Sequence, residues 1–307
     1  MISMALNLCA CSGSSYAVPY SINSTDYSES GGLKLKTFAS DLCVTNSDIG
    51  NSLTLTENTC CGLFDLGKKE TLYALNAQSQ LDPASLTKVM TAIVALKYGS
   101  LDQILVADEK VYINEAGAQK INLSAGDSMT LEQALHILLL YSANDVALLI
   151  AENIGSSIEN FVEMMNEEAK AIGATKTHFM NPNGLTQEDH YTTVYDMYLM
   201  FNEALKYEKF SEIIRMPNYT TQYHTSSGDL KEVSVNNTNG YLNGNVNMPA
   251  GITVLGGKTG TTAAAGHCLI QLAADTSGNE YIAVIMRAED TNTLYNEMSS
   301  LLLEITN

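Results

Sequence analysis

A serine and a lysine lie three residues apart in DPASLTKVM, residues 82–90, where an apolar stretch begins. Residues three apart on a helix share a face, so Ser85 Oγ and Lys88 Nζ can come within hydrogen-bonding distance. Serine is a weak nucleophile until a base takes its proton, and a lysine can do so when burial and a nearby cation lower its pKa. The spacing therefore predicts an acylatable serine whose own backbone N–H, in the first helical turn, helps to stabilise an oxyanion.

A second cation follows in the glycine-rich strand GGKTGTT, residues 256–262. Glycine lets a ligand or another backbone approach a strand closely. Lys258 and Thr259 can bind a substrate carboxylate, and the free N–H groups of an edge strand can pair with an extended substrate. Taken alone, the same pattern also fits a solvated lysine close to a hairpin.

A third polar group stands between these two, in YSAND, residues 141–145. Here the hydroxyl of Ser142 and the amide of Asn144 can face a cleft from the junction of two apolar helices. The plain alternative is a capping box in which Ser142 and Asp145 begin the second helix. Only the position and order of the motif favour a functional role.

The elements that must position these groups follow from hydrophobic periodicity. The segments TCCGLFDL and TLYALNA predict a hairpin, and Asp82 and Pro83 are the expected cap and first residue of the helix that carries Lys88. Helical patterns fill the middle of the chain, where Thr130 and Gln133 form a predicted capping box. Strand patterns return in YTTQYHT, KEVSVNN, ITVLGGKTG, AGHCLIQLAA and YIAVIMRAE before a last helix.

Strands at both ends with helices between them predict an α/β (α+β) fold, in which an antiparallel sheet carries an inserted, mainly helical subdomain. The catalytic domain is expected at 59–307, with sheet segments 59–98 and 245–307 and the insert at 99–244. Residues 18–58 are rich in Ser, Asp and Gly and are expected to form an irregular lead-in. The chain ends after the final helix, so no C-terminal accessory domain is expected.

Composition restricts the possible functions. Sixteen basic and thirty-four acidic residues give a formal charge of −18, which repels phosphate backbones, so nucleic acid is not an expected partner. The five histidines form no HExxH pattern, and the six cysteines lack metal-site spacing, so no metal is expected. Cys60, Cys61 and Cys268 are expected to be small buried hydrophobic residues.

The N-terminal segment MISMALNLCACSGSSYAVPY has a short apolar core followed by small residues, but its first lysine is Lys34. This pattern predicts that residues 1–17 are the remnant of an export signal. Cleavage after Ala17 would release a secreted protein, whereas lipidation of Cys11 would give a lipoprotein. Extracytoplasmic localisation is expected, with membrane contact only through an N-terminal anchor; an ordinary disordered tail is the alternative.

The ordered set SLTK, SAN and KTG resembles the penicillin-binding, active-site-serine acyltransferases. The longer segments PASLTKVMTA, NPNGL, HYTTVYDM and KTGTTAAAGHCL resemble the low-molecular-mass D-alanyl-D-alanine carboxypeptidases, over residues 59–306. This resemblance implies the β-lactamase/transpeptidase-like fold. It also implies removal of the terminal D-alanine from a peptidoglycan stem pentapeptide, with β-lactams as covalent inhibitors and no cofactor.

The resemblance further implies an acylated serine with a lysine base, a serine and an asparagine that move protons and hold the substrate amide, and a strand that binds the substrate carboxylate. The implied catalytic residues are Ser85, Lys88, Ser142 and Asn144, and the implied substrate-binding residues are Lys258, Thr259, Gly260 and Thr261. The backbone N–H groups of Ser85 and Thr261 would form the oxyanion hole.

Two other functions share this machinery. A serine β-lactamase of class A needs a glutamate in a Glu-x-x-Leu-Asn setting, and the sequence contains no such stretch. A non-catalytic penicillin-binding or wall-binding module would keep the fold without turnover.

Overall fold

A computed structural model describes residues 41–45, 47–50 and 52–306. The predicted export-signal remnant, with Cys11 and Ala17, lies outside these residues. The described helices fall short of the length and apolarity that a membrane crossing requires.

The described residues form nine strands in two sheets. The strands are β1 (Cys60–Asp65), β2 (Glu70–Leu75), β3 (Ile104–Val106), β4 (Ser128–Thr130), β5 (Asn218–His224), β6 (Leu230–Asn236), β7 (Thr253–Thr262), β8 (Gly266–Ala274) and β9 (Glu280–Ala288). The larger sheet has the order β2-β1-β9-β8-β7, and all its pairs are antiparallel. It therefore joins strands from both ends of the chain, as predicted, and β7 lies at one edge.

Seven α-helices accompany the sheets within the same residues. They are α1 (Lys88–Tyr98), α2 (Leu131–His136), α3 (Asn144–Gly155), α4 (Ile158–Ile172), α5 (Val194–Ala204), α6 (Glu208–Ile214) and α7 (Thr291–Leu303). The smaller sheet, of order β3-β4-β5-β6, lies in the segment between the two halves of the larger one, together with α2 to α6. The predicted hairpin of YTTQYHT and KEVSVNN is confirmed as β5 and β6.

Helices cover both faces of the larger sheet. Consecutive residues of a strand point to opposite faces, and Val284 of β9 packs in the core cluster that contains most of α1 and α5, whereas Ile285 packs with Met298 and Leu301 of α7. The central strand β9 is consequently apolar along nearly its whole length. Cys60, Cys61 and Cys268 are buried, as expected.

The predicted helix start at Asp82 and Pro83 is wrong, and so is the alternative interpretation of YSAND as a capping box. The helix after Asp82 begins as a 3₁₀ turn over Ala84–Thr87, with Pro83 as N-cap and no side-chain cap. Ser142 and Asp145 form no capping box, because α3 begins after Ala143 and Ser142 has a left-handed backbone with φ of 69°. A capping side chain needs an extended backbone at the N-cap, which neither Pro83 nor Ser142 has.

Candidate active site

The side chain of Lys88 lies at the centre of a buried polar cluster beneath Ser85. Its Nζ lies 2.8 Å from Ser85 Oγ, 2.9 Å from Asn144 Oδ1 and 2.6 Å from the backbone oxygen of Asn183. The side chain is fully buried, at the first position of α1, whereas Ser85 is half-buried on the preceding 3₁₀ turn. The predicted pairing of Ser85 with Lys88 is therefore present.

The three contacts determine what a neutral Lys88 can do. Asn144 Nδ2 donates to the Gln119 carbonyl at 3.0 Å, which turns Asn144 Oδ1 toward Lys88. That oxygen and the Asn183 carbonyl can only accept, so they take the two N–H groups of a neutral amine. The lone pair is left for the third neighbour, the Ser85 hydroxyl, which can donate its proton to it.

Burial is the main reason why the pKa of Lys88 lies well below its usual value. The positive charge of Lys258 lowers the pKa further, and the Asp145 carboxylate acts weakly in the opposite direction. An ammonium loses more hydration free energy on burial than an amine does, and like charges disfavour protonation. The site thus favours the form of Lys88 that can accept a proton.

Lys258 lies on the edge strand β7, also fully buried, and its Nζ donates to Ser142 Oγ at 2.9 Å and to the Thr259 carbonyl at 2.8 Å. Burial lowers the pKa of Lys258 to about 7. Near neutral pH, a neighbouring anion can therefore change the fraction of Lys258 that is protonated. A substrate carboxylate would stabilise the ammonium form.

Ser142 is presented by an unusual piece of backbone. Residues Ile137–Tyr141 form a π-helical turn, and Ser142 follows it in the left-handed conformation. Such turns are frequent at functional sites, because they break the regular direction of a helix. The Asn144 amide, at the start of α3, is fixed by the Gln119 carbonyl, which accepts from both its backbone N–H and its Nδ2.

The strand β7 packs directly against the turn that carries Ser85. A Cβ at Gly260 would lie 3.0 Å from the Ser85 backbone nitrogen and 3.1 Å from that of Leu86, so glycine permits this close approach. Thr259 hydrogen-bonds through its hydroxyl to Thr238 at 2.6 Å, and Thr261 is exposed at the same strand end.

A single cleft of about 760 Å³ connects these groups. Six of the eight predicted site residues line the cleft: Ser85, Ser142, Asn144, Thr259, Gly260 and Thr261. The other two, Lys88 and Lys258, contact the cleft residues Ser85 and Ser142 by hydrogen bonds. The structure thus brings together all eight residues that the sequence singled out. Among the described residues, no group of three or more His, Cys, Asp or Glu side chains is arranged to hold a metal ion.

The contacts by which three residues support the site could not be predicted from the sequence motifs. Asn183 contributes a backbone carbonyl, as does Gln119, and a backbone group leaves no trace in residue type. The Asp145 carboxylate accepts from the backbone N–H groups of Ile121 and Leu123, which holds the segment that carries Gln119. The acidic residue that follows Asn144 is the sequence feature that could have indicated this contact, but Ser142 and Asp145 also have the spacing of a capping box.

The sequence family of the chain is shown by comparison with known proteins. The family model described as D-alanyl-D-alanine carboxypeptidase matches residues 62–290. The chain belongs to the D-alanyl-D-alanine carboxypeptidase family. The family predicted from the sequence motifs is confirmed.

Individual relatives of the carboxypeptidase family agree. The chain is 34% identical to the D-alanyl-D-alanine carboxypeptidase DacF of Bacillus subtilis, over 84% of this chain and 64% of that protein. It is 29% identical to DacC of Escherichia coli, over 78% of this chain and 59% of that protein. The chain therefore spans less than two thirds of the length of these relatives.

Solved structures confirm the fold class. The crystal structure of the Streptomyces K15 DD-transpeptidase matches with a TM-score of 0.72 and 26% identity, covering 83% of this chain and 98% of that one. A penicillin-binding protein homolog from Mycobacterium tuberculosis also matches with a TM-score of 0.72 and 26% identity, over 85% of this chain and 96% of that one. The fold is that of the β-lactamase-like DD-peptidases.

Proposed function

We propose that the chain is a serine-type D-alanyl-D-alanine carboxypeptidase that removes the terminal D-alanine of peptidoglycan stem pentapeptides. The observation that carries this proposal is the contact set of Lys88, whose lone pair has the Ser85 hydroxyl as its available donor. Membership of the carboxypeptidase family supports the reaction and the substrate.

In the proposed acylation, Ser85 Oγ attacks the carbonyl carbon of the penultimate D-alanine, and its proton passes to Lys88 Nζ. The tetrahedral intermediate collapses with cleavage of its C–N bond, and Lys88 returns the proton taken from Ser85, through the Ser142 hydroxyl, to the nitrogen of the departing D-alanine. Lys88 is then neutral again. Water then attacks the ester, with Lys88 again as base, and restores the Ser85 hydroxyl. Asn144 holds Lys88 and the substrate amide throughout.

Substrate binding is assigned to the end of β7. Lys258 and Thr259 bind the terminal carboxylate, and the backbone N–H groups of Ser85 and Thr261 stabilise the oxyanion. The close packing of β7 at Gly260 supports this assignment, because it keeps the strand and the serine turn within reach of one carbonyl oxygen. β-Lactams would acylate Ser85 in the same way, as mimics of the D-alanyl-D-alanine terminus.

Residues 59–307 are the proposed catalytic domain. Its sheet segments, 59–98 and 245–307, supply Ser85 and the β7 residues, and the insert, 99–244, supplies Ser142 and Asn144. The cleft is lined from both parts, which supports a function that needs the whole domain.

A peptidoglycan substrate requires the protein to act outside the cytoplasm, and the leader-like N-terminus supports export. Mass spectrometry of the mature native protein tests this step. Val18 as the first residue would indicate a secreted enzyme, and a lipidated Cys11 would indicate a lipoprotein. An intact leader on a cytosolic protein would contradict both.

The function is tested by incubating the protein with a pentapeptide that ends in D-alanyl-D-alanine and measuring free D-alanine. Release by the wild type and none by Ser85→Ala is expected. Binding of penicillin without release of D-alanine would instead indicate a non-catalytic module, and rapid penicillin turnover would indicate a β-lactamase.

A further inference from the structure

A buried chain of hydrogen bonds runs from Met180 through His190 and Thr87 to Ala84, the residue before Ser85. Met180 N donates to His190 Nδ1 at 2.9 Å, and His190 Nε2 lies 2.9 Å from Thr87 Oγ1. Thr87 Oγ1 donates in turn to the Ala84 carbonyl at 2.8 Å. His190 is 4% exposed and Thr87 is fully buried, and neither residue lines the cleft.

The direction of each hydrogen bond in this chain is fixed by the backbone groups at its ends. The Met180 N–H can only donate, so His190 Nδ1 carries no proton and Nε2 does. The Ala84 carbonyl can only accept, so the Thr87 hydroxyl gives it its proton and accepts from His190. Every group is therefore satisfied when the imidazole is neutral, and burial, which lowers the pKa of His190 to about 4, favours that form.

The far end of the chain is a strained residue next to the nucleophile. Ala84 has φ of 46°, in the left-handed region that alanine rarely adopts. Its carbonyl oxygen is enclosed between the Thr87 hydroxyl and the backbone of Gly184, where an added Cβ would lie 1.9 Å away. Strained conformations of this kind persist where the surrounding contacts enforce them.

The other end of the chain reaches the loop that holds the base. Met180 begins the segment that leads to Asn183, whose carbonyl accepts from Lys88 Nζ at 2.6 Å. The imidazole of His190 therefore links the backbone that orients Ser85 to the backbone that orients Lys88.

We propose that Thr87 and His190 are positioning residues for acylation, which hold Ala84 in its left-handed conformation and thereby set Ser85 Oγ against Lys88 Nζ. The inference rests on the proposed role of Ser85 as nucleophile. Neither residue touches substrate, so loss of their hydrogen bonds is expected to slow the covalent step and leave noncovalent binding unchanged.

The test compares Thr87→Val, which keeps the shape and removes the hydroxyl, with Thr87→Ser, which keeps the hydroxyl. Stopped-flow acylation by a fluorescent penicillin gives the acylation rate constant and the dissociation constant of the noncovalent complex separately. We expect Thr87→Val to lower the rate constant about ten- to a hundredfold at an unchanged dissociation constant, since a small misplacement of reacting groups has effects of this size. Thr87→Ser is expected to stay close to the wild type.

A second pair keeps the test independent of whether Thr87→Val folds. His190→Gln retains an N–H donor near Thr87, and His190→Leu retains none, so the leucine variant is expected to acylate more slowly than the glutamine variant. Circular dichroism and the melting temperature establish that each variant compared is folded. In a cycle combining Thr87→Val with His190→Leu, the effects are expected to be less than additive, since both break one chain.

Folded Thr87→Val with the wild-type rate constant would overturn the proposal, as would a loss confined to the dissociation constant. Equal losses in Thr87→Val and Thr87→Ser would also overturn it. This test measures penicillin acylation, so its result does not depend on the proposed peptidase activity. The peptidase proposal is contradicted only if the wild type releases no D-alanine.

Discussion

Replacing Asn144 by aspartate would place a carboxylate where an amide oxygen now accepts from Lys88. The Asn144 Oδ1 lies 2.9 Å from Lys88 Nζ, and both groups are buried. A negative charge at this distance favours the ammonium form of the lysine. The substitution therefore acts on the pKa of the proposed base with little change in side-chain size.

The size of the effect follows from the distance. Two unit charges 2.9 Å apart attract each other by about 6 kcal/mol at an effective dielectric constant of about 20. One pKa unit corresponds to about 1.4 kcal/mol, so the pKa of Lys88 is expected to rise by roughly 4 units. Lys88 accepts a proton only when neutral, so the acylation rate falls about tenfold for each unit by which its pKa exceeds the pH.

The assay is a pH series of penicillin acylation rates for the wild type, Asn144→Asp and Asn144→Leu. The leucine variant loses the side-chain contacts with Lys88 and Gln119, but it introduces no charge. We expect the midpoint of the acidic limb to move upward by several pH units in Asn144→Asp and not to move upward in Asn144→Leu. Identical midpoints in the two variants would refute the assignment of Lys88 as the base that titrates in acylation.

Two further substitutions test the neighbouring parts of the site. Lys258→Gln is expected to slow acylation by a pentapeptide mimic about ten- to a hundredfold, through loss of a charge-assisted hydrogen bond to the carboxylate. The acylation rate with a peptide whose C-terminus is amidated should fall much less. The rates are measured from the release of D-alanine or its amide, and an equal fall with both peptides would show that Lys258 does not bind the carboxylate. Gly184→Ala is expected to abolish acylation and lower the melting temperature, because its Cβ would lie 1.9 Å from the Ala84 oxygen. The control is Gly244→Ala, because Gly244 has a similar φ of 83° but open space around it. If the two variants lose the same activity and stability, the cause is the backbone angle and not the contact with Ala84.

The contact between Ser85 and Lys88 and the position of Lys258 on an edge strand could be predicted from the sequence, because each depends on residue types at short spacing. Ser85 and Lys88 are three residues apart, and Lys258 stands among glycines whose role in close approach is general. Local patterns also predict the hairpin of β1 and β2 and the capping box at Thr130.

The remaining features depend on contacts between distant parts of the chain. The Ala84 carbonyl packs against Gly184, far along the sequence, where only a residue without a Cβ fits, and the π-helical turn before Ser142 has no local sequence signal. Asp145 matches a capping pattern, yet its carboxylate binds the backbone of Ile121 and Leu123 instead. Local patterns assign a side chain to its nearest partner, and a tertiary partner can outcompete it.

Peptide mapping after incubation with a labelled penicillin tests the role of Ser85 most directly. We expect one long-lived ester, located on Ser85, in the wild type, and no label in Ser85→Ala. Label on Ser142, or undiminished labelling of the Ser85→Ala protein, would contradict the assignment of Ser85 as the nucleophile.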